Sequence, residues 1–201
     1  MTFRDQLAEQ RWDDHRYYHH SRINQSLHLV SALSFILAYG LVLNQPAIAV
    51  FIGWLFAMPT RQLGHFFFEP KGYDYVNGAT HEYKEQVKVG YNLRRKVVLL
   101  SIWVASPALL LISPTGFGLL ARPSGWSDIL NNIALIWLVI GAGAIVFRVA
   151  QLTVKQDLQT GLVWATKILT DPFHDVMLYY KAPLYVLRGE FLDVATSDQP
   201  A

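Results

Sequence analysis

Val97-Val98-Leu99-Leu100-Ser101-Ile102-Trp103-Val104 is an apolar run that presents no polar helical face to water. A helix on the surface of a soluble bundle would carry polar residues along one side. The run therefore predicts a helix inside a membrane, and three further apolar segments accompany it. A bilayer core needs about 20 helical residues, so the second segment extends past Met58. The predicted spans are residues 27–43, 46–68, 97–112 and 129–147.

The expected fold class is all-α, an integral membrane bundle of four transmembrane helices formed by residues 1–201 as a single domain. Residues 1–22 are polar and lack an apolar run, which predicts a cytoplasmic N-terminal arm rather than a secretory signal peptide. After the last span, Gln151–Leu169 is expected to be a helix with mixed faces. Asp171-Pro172 then predicts an N-cap, and amphipathic C-terminal helices are expected to follow.

The basic residues predict the orientation in the membrane. The turn at residues 44–46 has no cation, and the loop at 113–128 has only Arg122, whereas residues 61–96 and the tail after Phe147 hold most of the lysines and arginines. By the positive-inside bias, both termini and the 69–96 loop face the cytoplasm. This predicts a multi-pass protein of the bacterial inner membrane or the eukaryotic endoplasmic reticulum, with the bilayer as partner and the oligomeric state open. The net charge of +2 is too small and scattered for nucleic acid.

Metal ligands are restricted by the absence of cysteine, which leaves imidazole and carboxylate groups. The predicted topology places every histidine at the cytoplasmic end of the bundle. Neutral imidazole is a common ligand of iron, zinc and copper, so we predict one metal site there. The seven histidines are His15, His19, His20, His28, His65, His81 and His174.

The residues around each histidine indicate which of the seven are the better candidates for metal ligands. His28 lies just inside a span, where a polar side chain is costly unless it has a partner in the bundle. In Gly64-His65-Phe66-Phe67-Phe68-Glu69, His65 and Glu69 share a helix face, the glycine allows close helix approach, and the aromatic flank shields the site from water. His81, near Glu82 and Glu85, is a further candidate. His15 fits a solvated position in the polar arm better than a ligand role, and His174 fits a capped surface position as well as a ligand role. The predicted metal ligands are His19, His20, His28, His65 and His81.

The order of these residues resembles a known family. Tyr18-His19-His20, then His28 opening a span, a helical hairpin and the run Gly64–Glu69 look like the fungal-type 2-hydroxy fatty acid dioxygenases of the endoplasmic reticulum, over roughly residues 15–75. The resemblance implies a small multi-span enzyme that uses Fe(II) and O2 to shorten 2-hydroxy fatty acids by one carbon, in the alpha-oxidation that degrades phytosphingosine. It points to His19, His20, His28, His65 and Glu69 as site residues. The pattern has no counterpart after about residue 76, so another lipid substrate fits equally well.

The working hypothesis is a non-haem iron dioxygenase in which three or four imidazoles hold Fe(II) and leave positions open for a fatty acyl substrate and O2. Glu69 and Arg61 are the predicted catalytic residues, with Arg61 or Lys71 pairing with the substrate carboxylate.

Three alternatives remain open. A membrane di-iron hydroxylase or desaturase would use the H-x-x-x-H-H arrangement of His15, His19 and His20. A haem-binding electron carrier would use His28 and His65 as axial ligands. A non-enzymatic membrane scaffold would need no metal at all.

Overall fold

The fold is all-α, as predicted, in a computed structural model that describes residues 1–69, 71–89 and 93–193. Within these ranges there is no strand. Short turns of different pitch interrupt α3 and α5, which we treat as single helices. The helices are α1 Phe3–Tyr18, α2 Arg22–Leu41, α3 Pro46–Phe68, α4 His81–Val87, α5 Leu93–Ile112, α6 Trp126–Lys155, α7 Leu158–Tyr179 and α8 Ala182–Leu187.

Three helices, α3, α5 and α6, are long and apolar enough to cross a membrane, with 23, 20 and 30 residues. The predicted spans 46–68, 97–112 and 129–147 fall within them. The first predicted span, 27–43, falls in α2, which is not one of the three because its first turns carry polar residues. A membrane bundle is therefore supported with three candidate spans, and the fourth span stays a prediction. The polar residues in the first turns of α2 are Arg22, Asn24, Gln25, Ser26 and His28.

Aromatic packing holds the candidate spans together. Val50, Trp103, Ala134 and Trp137 form a buried cluster that joins α3, α5 and α6. The Trp103 ring stacks on Trp54 with 5.0 Å between centroids, and the Trp137 indole donates a hydrogen bond of 3.2 Å to the Trp103 carbonyl. A buried indole is favourable where its N–H has an acceptor, as that of Trp137 has. The cluster therefore packs α3, α5 and α6 against one another.

Helices α2 and α3 form an antiparallel hairpin that brings His28 and His65 to the same end. The connection is short, and Pro46 opens α3 at the first helical position, where its missing N–H costs nothing. Two π-helical turns, Gly53–Ala57 and Gly64–Phe68, interrupt α3. The Ser31 hydroxyl of α2 donates to the Ala57 carbonyl at 2.7 Å. Such turns often occur at functional sites, and the second one carries His65.

Helix α7 differs from the sequence-based expectation. It runs without a break from Leu158 to Tyr179 with Pro172 inside it, whereas α6 already ends at Lys155. The predicted helix 151–169 and the predicted cap at Asp171-Pro172 are therefore wrong. The Asp171 carboxylate is bound by the Lys167 ammonium at 2.6 Å and cannot cap. Burial of Pro172 against its neighbours offsets the lost helix hydrogen bond.

The end of the described chain returns to the start of α2. The backbone N–H of Arg22 donates to the Phe191 carbonyl at 2.9 Å, and the N–H of Asp193 donates to the His20 carbonyl at 2.7 Å. The Arg22 guanidinium also binds the Asp193 carboxylate at 2.8 Å. The N-terminal arm, α2 and the C-terminal segment thus meet beside the histidines.

Candidate metal centre

Three histidines from separate parts of the chain meet in the interior. His19 follows α1, His28 lies on α2 and His65 on α3, and one ring nitrogen from each lies within 4.8 Å of the other two. All three are buried. The ring centroids are 4.2 Å apart for His19 and His28, 4.9 Å for His28 and His65, and 5.4 Å for His19 and His65. This His19–His28–His65 set is called the triad below.

The Nδ1 atoms of the three triad histidines each lie near a carbonyl or carboxylate oxygen. Nδ1 of His19 donates to the Asp14 carbonyl at 2.8 Å, and Nδ1 of His65 donates to a Glu69 carboxylate oxygen at 2.7 Å. Nδ1 of His28 lies 3.6 Å from an Asp175 carboxylate oxygen. Carbonyl and carboxylate oxygens only accept, so the ring protons of His19 and His65 are assigned to Nδ1 and their Nε2 atoms carry lone pairs. Nδ1 of His28 is beyond hydrogen-bond distance of Asp175, so this contact does not assign the tautomer of His28.

The Nε2 atoms of His19 and His28 lie 3.2 Å apart. Two lone pairs at this distance repel unless a proton or a cation lies between them. Burial lowers the pKa of the His19 imidazole well below its ordinary value of 6.5, and neighbouring His28 lowers it further. A charged imidazolium is therefore disfavoured at neutral pH, so the two neutral rings share either one ring proton or a cation. Three converging imidazole nitrogens are a suitable donor set for a divalent transition metal.

Glu69 lies behind His65 rather than in the centre of the triad. One of its oxygens accepts from His65, while the other accepts from the Lys88 ammonium at 2.9 Å. A carboxylate that holds the outer N–H of a ligating histidine fixes the ring orientation and raises its basicity. The structure therefore gives this predicted catalytic residue the geometry of a positioning residue.

Arg61, the other predicted catalytic residue, forms ion pairs with two carboxylates of α7. Its guanidinium donates to Asp175 at 3.0 Å and lies 3.8 Å from Asp171. The same Asp175 carboxylate faces Nδ1 of His28. Arg61 thus holds the acid that orients His28, and its charge is already paired.

The structure leaves two of the predicted ligands outside the triad. The Nε2 atom of His20 lies 3.2 Å from the Asp74 carboxylate and 3.1 Å from the Asn77 amide, so His20 fastens the loop at residues 71–80. His81 is exposed at the start of α4. Of the remaining histidines, His15 contacts the Tyr179 hydroxyl at 3.2 Å, and His174 is half-buried on α7.

Sequence reasoning missed the contribution of α7. Lys167, Asp171, Asp175 and Tyr179 follow one another at four-residue intervals, so they share the face that α7 turns toward α1 and the triad. Polar residues at this spacing in an apolar helix were the available signal. The Tyr179 ring lies 5.9 Å from His19 and 6.3 Å from His28.

A buried ion pair ties α7 to α1. The Lys167 ammonium binds Asp14 at 2.9 Å as well as Asp171. Burial alone would lower the pKa of Lys167, but the two carboxylates raise it. Burial alone would likewise raise the pKa of Asp14, but Lys167 lowers it well below 3.8. Both groups stay charged, and the carbonyl that orients His19 belongs to the same Asp14.

A cavity of about 510 Å³ adjoins the triad at His65 and is lined by residues of α1 to α7. Most charged residues of its lining lie near the triad, because they contact Asp14, Glu69 or Asp175, and most of the other lining residues are apolar. The charged end includes Asp14, Arg61, Lys88, Lys96 and Lys167, and the apolar part includes Phe35, Trp54, Leu99, Trp137 and Gly141.

Comparison of the chain with protein-family models, curated proteins and solved structures finds no match.

Proposed function

We propose that the protein is an iron-dependent membrane oxygenase in which His19, His28 and His65 hold one Fe(II), and that it shortens a 2-hydroxy fatty acid by one carbon. The observation that carries the proposal is the convergence of three buried imidazoles, two of which face each other through Nε2 at 3.2 Å. Three protein ligands leave coordination positions for a chelating 2-hydroxy acid and for O2.

The overall reaction balances without an external reductant: R–CH(OH)–COOH and O2 give R–COOH, CO2 and H2O. The bond between C1 and C2 breaks, the substrate loses four electrons and O2 takes them up. The metal supplies a site where substrate and O2 bind together and exchange electrons. The chain supplies the orientation of the imidazoles through Asp14, Glu69 and Asp175, and a cavity that keeps the acyl chain away from water.

Two features favour a single non-haem ion over the alternatives. The described residues contain one group of three candidate ligands, whereas a di-iron site needs a second group. The His19 ring lies 4.2 Å from His28 and 5.4 Å from His65, in the space that a haem between these two residues would need.

The test is elemental analysis of protein purified in detergent, together with mass spectrometry of the product formed from a 2-hydroxy fatty acid under O2. We expect about one iron per chain and an acid one carbon shorter. His19→Ala, His28→Ala and His65→Ala should each lose the metal and the activity, while His81→Ala, at an exposed position, should keep both. Metal retained in all three triad variants would overturn the proposal.

A further inference from the structure

We infer that Lys96 binds the carboxylate of a single-chain fatty acid whose tail occupies the cavity between α2, α3, α5 and α6. This inference deepens the proposed function, because it names the residue that selects the head group and the helices that select the chain. Lys96 takes the role of carboxylate partner that the sequence analysis gave to Arg61, because the Arg61 guanidinium pairs with Asp175.

Lys96 differs from the other cations that line the cavity because it has no close partner among the residues that the structure describes. Arg61, Lys88 and Lys167 each have a carboxylate oxygen at 3.0 Å or less. The nearest carboxylate oxygen to the Lys96 ammonium is Oε2 of Glu69 at 3.9 Å, beyond hydrogen-bond distance. That oxygen already accepts from His65.

Burial makes this incomplete pairing costly. The Lys96 side chain is only 13% exposed, so water replaces few of the hydrogen bonds that an ammonium group makes in solution. A buried charge without a hydrogen-bonded partner is unfavourable, and a bound anion would relieve the cost. The charged end of the cavity therefore favours a ligand that brings its own negative charge.

The position of Lys96 fits a ligand that also reaches the triad. Lys96 and His65 approach the same oxygen of Glu69, at 3.9 and 2.7 Å. The ammonium and the imidazole are thus neighbours around one carboxylate. A substrate carboxylate that binds Lys96 would therefore lie next to His65, one member of the triad.

The rest of the cavity fits an acyl chain. Its volume of about 510 Å³ lies within the range of about 300–1,000 Å³ found for small-molecule sites. Most of the aromatic and aliphatic side chains that line it come from α2, α3, α5 and α6, and α7 adds Trp164, Ile168 and Leu169. One charged end and a largely apolar remainder match an anionic single-chain amphiphile better than a neutral lipid or a small soluble anion.

The first experiment measures the binding of hexadecanoate and hexadecanol to metal-free protein in detergent. Hexadecanoate lacks the 2-hydroxyl group, and omission of the metal separates head-group binding from chelation. A charge-assisted contact of about 1.5–3 kcal/mol predicts that the wild type binds the acid about 10–100-fold more tightly than the alcohol. Lys96→Met should abolish this preference, Lys96→Arg should preserve it, and Lys155→Met, at an exposed cation outside the cavity lining, should leave it unchanged.

The second experiment shortens the cavity. A Cβ on Gly141 would contact the Trp54 ring at 3.5 Å, which is ordinary packing, and a larger side chain would extend into the cavity. Gly141→Leu should therefore shift the preferred acid to a shorter chain. Gly143→Leu is the control, because Gly143 lies on the same helix and a Cβ there meets nothing within 4 Å. The preferred chain length should not change in this variant.

The inference is overturned if the wild type does not distinguish the acid from the alcohol, or if Lys96→Met keeps the preference. The comparison in the wild type needs no variant to fold. Failure of the proposed oxygenase function has a separate readout, since it would appear as an absence of iron while the acid preference of metal-free protein persisted. Iron binding with no acid preference would overturn the inference about Lys96 alone.

Discussion

Gly64 and Asn24 are in contact where α3 crosses α2, so closely that a Cβ on Gly64 would lie 2.1 Å from Oδ1 of Asn24. Asn24 is buried, and its amide nitrogen donates to the Tyr18 carbonyl at 2.9 Å, which prevents it from moving aside. Gly64 directly precedes His65, and Asn24 lies one turn before His28. The approach of these two imidazoles therefore depends on the absence of a side chain at residue 64.

Gly64→Ala should force the two helices apart. We expect a loss of about 1–3 kcal/mol of stability from overpacking, together with weaker metal binding, measured by thermal unfolding in detergent and by metal titration. Gly40→Ala is the matched control, because a Cβ on this α2 glycine meets nothing within 4 Å. Equal metal affinity in the two variants would contradict this account of the hairpin.

Glu69→Gln keeps the size of the side chain but removes the charge that holds the N–H of His65. Loss of such a partner typically weakens metal binding about 10–100-fold, which competition with a chromophoric chelator would measure. Glu85→Gln is the control, since Glu85 contacts Lys88 at 3.7 Å and has no contact with His65 among the described interactions. An unchanged affinity in Glu69→Gln would show that Glu69 does not position the ring.

Asp74 should make stability depend on pH in the acid range. Burial alone would raise the pKa of Asp74, but hydrogen bonds from Asn77 and the proximity of His20 lower it below its ordinary value of 3.8. Its contribution is therefore complete above the ordinary pKa and is lost as the pH falls through the lower folded value. Asp74→Asn should cost about 1–3 kcal/mol at pH 7 and flatten the decline below pH 4 in thermal unfolding curves. An equally steep acid decline in Asp74→Asn would contradict this assignment.

Four membrane crossings can be tested by labelling single cysteines with a membrane-impermeant maleimide, because the native chain has no cysteine. Glu9→Cys and Tyr75→Cys should react from one side, and Leu43→Cys and Leu119→Cys from the other. All four positions are exposed. If Glu9→Cys reacts from the same side as Leu43→Cys, α2 does not cross and only α3, α5 and α6 remain as spans.

The hairpin and two of its histidines could be predicted because their causes are local. Apolar length indicates α3, the short turn before Pro46 makes α2 and α3 antiparallel, and antiparallel helices bring His28 and His65 to one end. The choice between His19 and His20 could not be predicted. The chain leaves the helical conformation at His19, with φ −121° and ψ 33°, so the two adjacent rings point to different partners.

The contribution of α7 was missed because a local rule failed there. Proline usually marks a helix start or end, and the predicted boundary at Pro172 separated Lys167 from Asp175. In the structure tertiary burial keeps the helix continuous. Asp175 and Tyr179 then reach the triad from more than 100 residues away in sequence, a relationship that no spacing rule reveals.

The order of the helices along the chain affects how a metal enters. His19, His28 and His65 all leave the ribosome before α7, which later places Asp175 and Tyr179 against them. A nascent chain that has completed only α1 to α6 presents the three imidazoles without this cover. Loading during synthesis would therefore give an ion direct access to ligands that the finished protein encloses.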